Sequence, residues 1–339
     1  MPRKTHYTRI TSDEKLAKLN LKNIQLKNDF LLYLKSIRRS EGTINGYDSD
    51  LNIVFTYIYD ELGDKDFKDL TKRDIISIQN WMLSNGCSSS RVRRVKAAIS
   101  SLSNYIENIL ADDEPEYEGY HAMVRKIENP PLQPVREKTV WSEEELKGLL
   151  DWLTDKKDYE RACLIALAIY SGRRKAELCR FRVSDFDEDH LICDGALYKS
   201  SPILTKGGKM LECYTLAKRF TPYLRKWMGD RKARGIDSEW LFPDHNDPSK
   251  HIGVTTLSSW AFSIDRYTTK PFYLHGLRHF FVTYLSREGI PDNVVVQILG
   301  WTSSEMFGVY CDASKDEQIG NYFKDGEINT SKAKGLSDI

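Results

Sequence analysis

Residues 275–310 read HGLRHFFVTYLSREGIPDNVVVQILGWTSSEMFGVY. His275 and Arg278 stand three residues apart, so on a helix they share one face. Leu277, Phe281, Tyr284 and Leu285 take the opposite, buried face, and the two basic groups point away from it, which does not require that they face open water. Ile290-Pro291-Asp292 starts a second helix, with proline at a tolerated first-turn position. Val294, Val295, Ile298 and Leu299 bury that helix and Gly300 ends it. Trp301 follows at once and Tyr310 comes nine positions later.

Upstream the pattern stays largely helical. Ser142 and Glu145 form a capping box that opens one helix. Tyr159 to Ile169 is apolar enough for a central buried helix, ending at Ser171-Gly172. RRKAELCRF then resumes helical spacing, with Arg174 three residues before Glu177. Beyond Ser184-Asp185 the pattern shortens and alternates. Ile203–Thr205 and Met210–Leu216 read as two strands joined across Lys206-Gly207-Gly208-Lys209, a hairpin signal. Helices are expected over 220–232 and 254–267, and a short one over 313–323 with Ile319, Tyr322 and Phe323 apolar.

From Gln25 to Leu110 no strand signal appears. Phe30, Leu31, Leu34 and Ile37 make one amphipathic stripe. Thr43 is a plausible N-cap for a second helix carrying Ile44, Tyr47, Leu51, Val54, Phe55 and Ile58. A third helix runs over 74–83 and a fourth over 91–109. In the fourth, Arg91, Arg93, Arg94 and Lys96 crowd the first two turns, where positive charge opposes the macrodipole. A solvated basic face is the plain reading; contact with DNA phosphates is the sharper one. Asp112-Asp113-Glu114 and the run NPPLQP over 129–134 mark a linker, because each X-Pro step forces extended backbone. The expected organisation is an extension over 1–24, a helical DNA-binding domain over 25–110, a linker over 111–139, a catalytic domain over 140–325 and a tail over 326–339. The fold class is mainly α with a small β-sheet.

Composition narrows the chemistry. A chain of 339 residues suits two domains, and 40% hydrophobic with 29% charged residues is a soluble globular composition. No apolar run is long enough to span a membrane and the first residues have no apolar signal core, so the expected location is the cytoplasm. A net charge of +1 leaves any case for nucleic acid to local clusters. The six cysteines form no CxxC pair, which argues for reduced thiols. Gly207-Gly208-Lys209 lacks the upstream glycine of an ATP phosphate loop. His275 and His279 have the spacing of a helical zinc pair, but Arg278 lies between them and no third ligand is evident, so no metal site is expected.

What remains is a basic set with a tyrosine, in the order SGRRKAEL (171–178), LTKGGK (204–209), LHGLRH (274–279), LGW (299–301) and Tyr310. Any one of these residues alone is more often structural than functional. Together the pattern resembles the tyrosine recombinase (phage integrase) family, over roughly residues 25 to 325, and GTINGY (42–47) is similar to an early helix start of that family. The resemblance implies a core-binding, SAM-like four-helix domain followed by an α+β catalytic domain. It implies that Arg174, His275 and Arg278 hold the scissile phosphate, that Lys206 is the catalytic lysine and that Tyr310 is the nucleophile. Trp301 stands where most members have His, and a Trp donates a hydrogen bond but relays no proton. Arg173 takes a position usually uncharged, and Phe307 one commonly polar. Glu177 is expected to support Arg174 or cap local backbone.

The chemistry fits these residue types. Two guanidinia match the non-bridging oxygens of a phosphodiester. A phenol is protonated at pH 7, so nearby positive charge must favour its anion. Attack would leave a 3′-phosphotyrosine, and a 5′-hydroxyl would reverse the step. The implied partner is double-stranded DNA carrying specific recombination sites, bound by a homotetramer, with no cofactor. An integrase or excisionase of a mobile element or prophage is the leading reading. An Xer-like dimer resolvase, a type IB-like topoisomerase and a non-catalytic DNA-binding relative are the alternatives. The short extension favours a simple recombinase.

Overall fold

The computed structural model describes residues 10–133, 138–205, 208–320 and two short strands, 323–324 and 327–328. The chain divides into two compact units, Met1–Glu137 and Lys138–Ile339.

The first unit is helical. A short α1 (Asp13–Leu16) precedes α2 (Leu21–Ser36), α3 (Glu41–Glu61), α4 (Lys72–Ser84) and α5 (Ser89–Tyr105). Phe30 and Leu34, Leu51 and Val54, Ile75 and Ile78, and Val95 and Ile99 meet in one core. The expected stripe is one residue too long: Ile37 lies past the end of α2 and is 43% exposed. The expected cap is also shifted. Ser40, in extended conformation, caps α3, and Thr43 sits in its first turn with its N–H donating to Ser40 Oγ. Two hydroxyls three residues apart compete for the role, and the one before Glu41-Gly42 takes it. On α4, Thr71 and Asp74 form a reciprocal capping box.

The expected linker differs most. Past α5 the helix widens to a π-turn over Ile106–Leu110, followed by α6 (Ala111–Asp113). The chain then folds back on its own unit. Met123 and Val124 are buried in its core, and Gln133 N–H donates to Ser89 Oγ at 3.0 Å. This return engages the basic cluster. Arg93 Nε donates to the Pro130 carbonyl at 2.8 Å, and the Lys96 ammonium donates to the Ile127 carbonyl. Arg91 and Arg94 pair with the buried carboxylate of Asp50, Arg94 in bidentate fashion at 2.8 Å. The charge at the start of α5 therefore answers an internal carboxylate and two carbonyls. Lys96 is 8% exposed, which removes it from the solvent-facing set.

The second unit is built on α8 (Tyr159–Ser171), where every residue from Ala162 to Ile169 is buried. It follows α7 (Glu143–Asp155), opened by the Ser142/Glu145 capping box. After α9 (Lys175–Leu178) come β1 (Leu191–Ile192), β2 (Leu197–Lys199), β3 (Ile203–Leu204), β4 (Met210–Leu211) and β5 (Tyr214–Leu216). The single strand expected over 210–216 breaks at Glu212-Cys213. Its first part pairs with β3, and its second with β2 in an antiparallel sheet ordered β1-β2-β5. Helices α10 (Ala217–Ala233), α11 (Val254–Asp265), α12 (Leu274–Arg287), α13 (Asp292–Leu299) and α14 (Glu305–Tyr310) complete the core. The last helix, α15 (Lys315–Gly320), is shorter than expected, and Phe323 lies on β6 (Phe323–Lys324), paired with β7 (Glu327–Ile328). Tyr322 lies outside the described residues.

Two glycines make the turns that the site depends on. Gly172 ends α8 at φ 60° and Gly300 ends α13 at φ 63°, both left-handed. A Cβ on Gly172 would stand 2.4 Å from the ring of Phe281, and one on Gly300 2.3 Å from Leu211. Neither position admits a side chain without displacing a neighbour.

Candidate active site

Four of these elements deliver side chains to one place. The start of α9 presents Arg174, α12 presents His275 and Arg278, the turn after α13 presents Trp301, and the end of α14 presents Tyr310. Lys206 and Gly207 lie outside the described residues; the strands of their hairpin, β3 and β4, pair in register Ile203 to Leu211.

Tyr310 is 6% exposed, and its hydroxyl is 2.9 Å from His275 Nε2 of the same chain. Its ring lies 5.1 Å from that of Trp301 and 4.6 Å from that of His279. The Arg278 guanidinium stands over both aromatic faces, 5.0 Å from the Trp301 centroid and 5.3 Å from that of Tyr310. Arg278 is 1% exposed, because Trp301 and Tyr310 cover the face it occupies. Its long stem carries the head inward under Trp301, where Nη1 donates to the Gly172 carbonyl at 2.8 Å. Among the described residues, Arg278 Nε and Nη2 and Trp301 Nε1 are buried donors without a partner. A buried polar group of this kind normally has an acceptor, so open donors on two side chains packed against the Tyr310 ring make a place suited to an anion.

Arg174 opens α9, and its side chain is 40% exposed. Glu177 is buried and does both tasks expected of it. One oxygen accepts from the Arg174 backbone N–H at 3.0 Å, and the other from Arg174 Nη1 at 3.3 Å. Arg173 points the other way and is fully buried.

Positive charge accumulates here. Burial, with the guanidinia of Arg174 and Arg173 beside it, pushes Arg278 down to about 10, still charged at neutral pH. His275 is pushed down to about 4, first by burial of its inner edge and then by His279, Arg278 and Arg174. It is therefore neutral at pH 7 and can accept a proton at Nε2. The lowered value also sets a pH dependence. The unfolded chain binds a proton at His275 near its ordinary value of about 6.5, whereas the folded chain holds off to about 4. Stability due to this group is full above that upper value and falls as pH drops through the window. His275→Gln should accordingly lose less melting temperature between pH 7 and pH 4.5 than the parent; equal losses would contradict this placement of the ring.

His279 is a residue that sequence reasoning missed, having weighed it only as a zinc ligand. Its ring packs at a tilt against that of Tyr310, and its Nδ1 is 3.7 Å from Asp312 Oδ2. Asp312 is in turn 3.2 Å from Lys138 Nζ, which also donates to the Val309 carbonyl at 3.0 Å. The only signal was the one-turn spacing from His275. Among the described residues no cluster of three or more His, Cys, Asp or Glu side chains suits a metal ion, and no helix is long and apolar enough to cross a membrane.

The model of the phage integrase family matches residues 140–317, and that of the phage integrase N-terminal SAM-like domain matches residues 28–108. The SPbeta prophage-derived recombinase-like protein YomM of Bacillus subtilis (strain 168) is 32% identical over 206 residues, spanning 60% of this chain and 60% of that relative. A tyrosine recombinase of Thermosipho africanus (strain TCF52B) is 23% identical over 88% of this chain and 97% of its own length. Among solved structures, the XerH site-specific recombinase bound to difH substrate in a pre-cleavage complex superposes with a TM-score of 0.62 at 18% identity, covering 93% of this chain and 89% of that one. The four-helix first unit and the mostly helical second unit with its small sheets are thus the two parts of this fold, and the chain belongs to the phage integrase family and is a tyrosine recombinase.

Proposed function

We propose that this chain breaks and rejoins DNA at specific sites through a 3′-phosphotyrosine formed on Tyr310. The observation that carries the reading is the Tyr310 hydroxyl, 2.9 Å from His275 Nε2, with its ring 5.3 Å from the Arg278 guanidinium, whose Nε and Nη2 have no partner among the described residues. Arg278 and Arg174 grip the non-bridging oxygens of the scissile phosphate, and Trp301 Nε1 donates to the same group. Neutral His275 takes the phenol proton as the Tyr310 oxygen bonds to phosphorus. The bond from phosphorus to the 5′-oxygen breaks, and the leaving oxygen takes a proton from Lys206 on the hairpin. Attack by a 5′-hydroxyl of a partner strand reverses the step and frees Tyr310. Arg174 and Lys206 are about 100 and 70 residues upstream of α12 in sequence.

The reaction is proposed to need no metal. Fixed guanidinia supply the charge that a dication would supply, and a dication beside them would be repelled. The prophage-derived relative favours integration or excision of a mobile element over resolution of chromosome dimers. Assembly as a tetramer on paired sites is supported by α15, which leaves Ile319 exposed at 56% for a neighbouring subunit. Arg91, Arg93 and Arg94, which keep partly open side chains, and Thr43 are the first unit's proposed contacts with the backbone of the duplex. Incubation with a nicked duplex that traps the covalent step should yield the protein–DNA adduct at an unchanged rate in excess EDTA. Loss of adduct on chelation would overturn the metal-free mechanism, and no adduct in either condition would overturn the assignment.

A further inference from the structure

We infer that Arg173 is a positioning residue that holds the arms of the phosphate site in register. It is 1% exposed, and its guanidinium reaches three acceptors on three separate segments. Nε donates to the Ser171 carbonyl at 3.2 Å, Nη2 to the Ile298 carbonyl, and Nη1 to Cys213 Sγ at 3.5 Å. Each segment leads to a residue of the proposed machinery. Ser171 is the last residue of α8, three before Arg174. Ile298 lies in the last turn of α13, three residues before Trp301. Cys213 joins β4 to β5, on the arm whose hairpin carries Lys206.

The physical chemistry explains why an arginine is tolerated there. The last carbonyls of a helix have no partner within it and mark the negative end of its dipole. Ser171 and Ile298 are such carbonyls on two helices whose left-handed glycine caps, Gly172 and Gly300, turn the chain into the site. One planar fork with five donors satisfies both ends and the thiol together; a compact ammonium cannot span them. The Glu177 carboxylate goes to Arg174, so Arg173 is held by helix ends rather than by an anion. Its charge also lies close enough to depress Arg278. Adjacent arginines thus divide the work, one gripping phosphate and the other fixing the frame on which that grip is mounted.

This inference rests on the phosphotyrosine reading above. The test is single-turnover cleavage of the nicked duplex at saturating protein, for the parent, Arg173→Lys and Arg173→Met, with Tyr310→Phe as the blank. A misfolded fraction lowers the amplitude of cleavage but not the rate constant of the molecules that cleave. A displaced frame lowers the rate constant itself, because errors near 1 Å in placement cost about 100-fold. The expected result is duplex affinity within about threefold of the parent, with the rate constant down about tenfold in Arg173→Lys and about 100-fold in Arg173→Met. Should Arg173→Met fail to fold by circular dichroism, Arg173→Lys decides alone. Rate constants within twofold of the parent, a loss confined to amplitude, or failure of both variants to fold would each overturn the inference. A parent that forms no adduct would overturn the phosphotyrosine reading, and this inference with it.

Discussion

Tyr310→Phe should bind its DNA as the parent does and form no covalent adduct. The substitution removes one oxygen atom and leaves the ring in place. The packing of that ring on Trp301 and His279 survives, at centroid distances of 5.1 and 4.6 Å. What disappears is the hydrogen bond to His275 Nε2, a contribution of about 1 kcal/mol to a fold whose second unit is large and well packed. Melting temperature should therefore move by no more than a few degrees, while cleavage drops to the background of the assay. Electrophoresis of the trapped complex under denaturing conditions reads the adduct, and a gel shift reads binding. An adduct that persists in this variant would assign the nucleophile elsewhere.

The second large effect concerns Arg278. Arg278→Met keeps the stem and removes the charged head, and cleavage at saturating DNA should fall by about 100- to 1000-fold, the usual consequence of deleting one donor to a developing oxyanion. Stability should move differently. Loss of the bond to the Gly172 carbonyl leaves a buried acceptor unpaired, costing about 1–3 kcal/mol. Against this, the free protein no longer buries a cation beside two other guanidinia. The folded value for Arg278 is pushed down to about 10, below its ordinary range, so its charged form weakens the fold at every pH below that value. The offset is on the order of a few kcal/mol. The melting temperature of Arg278→Met is thus expected to fall by less than the loss of that bond alone would give, although the residue is 1% exposed. A drop of many degrees would show that Arg278 is structural cement rather than a cation held ready for phosphate.

How much of this was legible beforehand can be traced residue by residue. The helices with strong 3.6-residue periodicity were, because a stripe such as Val295 and Leu299, or Phe281 and Leu285, depends only on local spacing. The convergence of Arg174, His275, Arg278, Trp301 and Tyr310 was legible only as an ordered set of motifs; the distances among them come from the fold. Long-range pairing was not legible. Strand β2 has three residues and acquires its identity from β5. The basic start of α5 looked free because its acceptors, Asp50, Ile127 and Pro130, lie 31 to 44 residues away. Of the two neighbouring arginines, the spacing to Glu177 favoured Arg174, and that residue does pair with Glu177; the burial of Arg173 was not legible. The two separate because Arg174 sits in extended backbone at φ −71° and ψ 152°, where successive side chains point to opposite sides. Burial of Arg278 was hidden for a related reason: helical spacing places Cβ, and a long stem then decides where the charge goes.

The central claim is that Tyr310 attacks the phosphate held by Arg278 of its own subunit, as the 2.9 Å contact to His275 within one chain indicates. Mixing the two inactive variants tests this most directly. Tyr310→Phe keeps the grip on phosphate but has no nucleophile; Arg278→Met keeps the nucleophile but has lost the grip. If each site is built within one subunit, no mixture can assemble a complete one, and equimolar Tyr310→Phe and Arg278→Met on the nicked duplex should form no more adduct than either alone. Adduct that rises in the mixture, carried on the Arg278→Met chain, would mean that the tyrosine is delivered to a neighbour's site and would contradict the account.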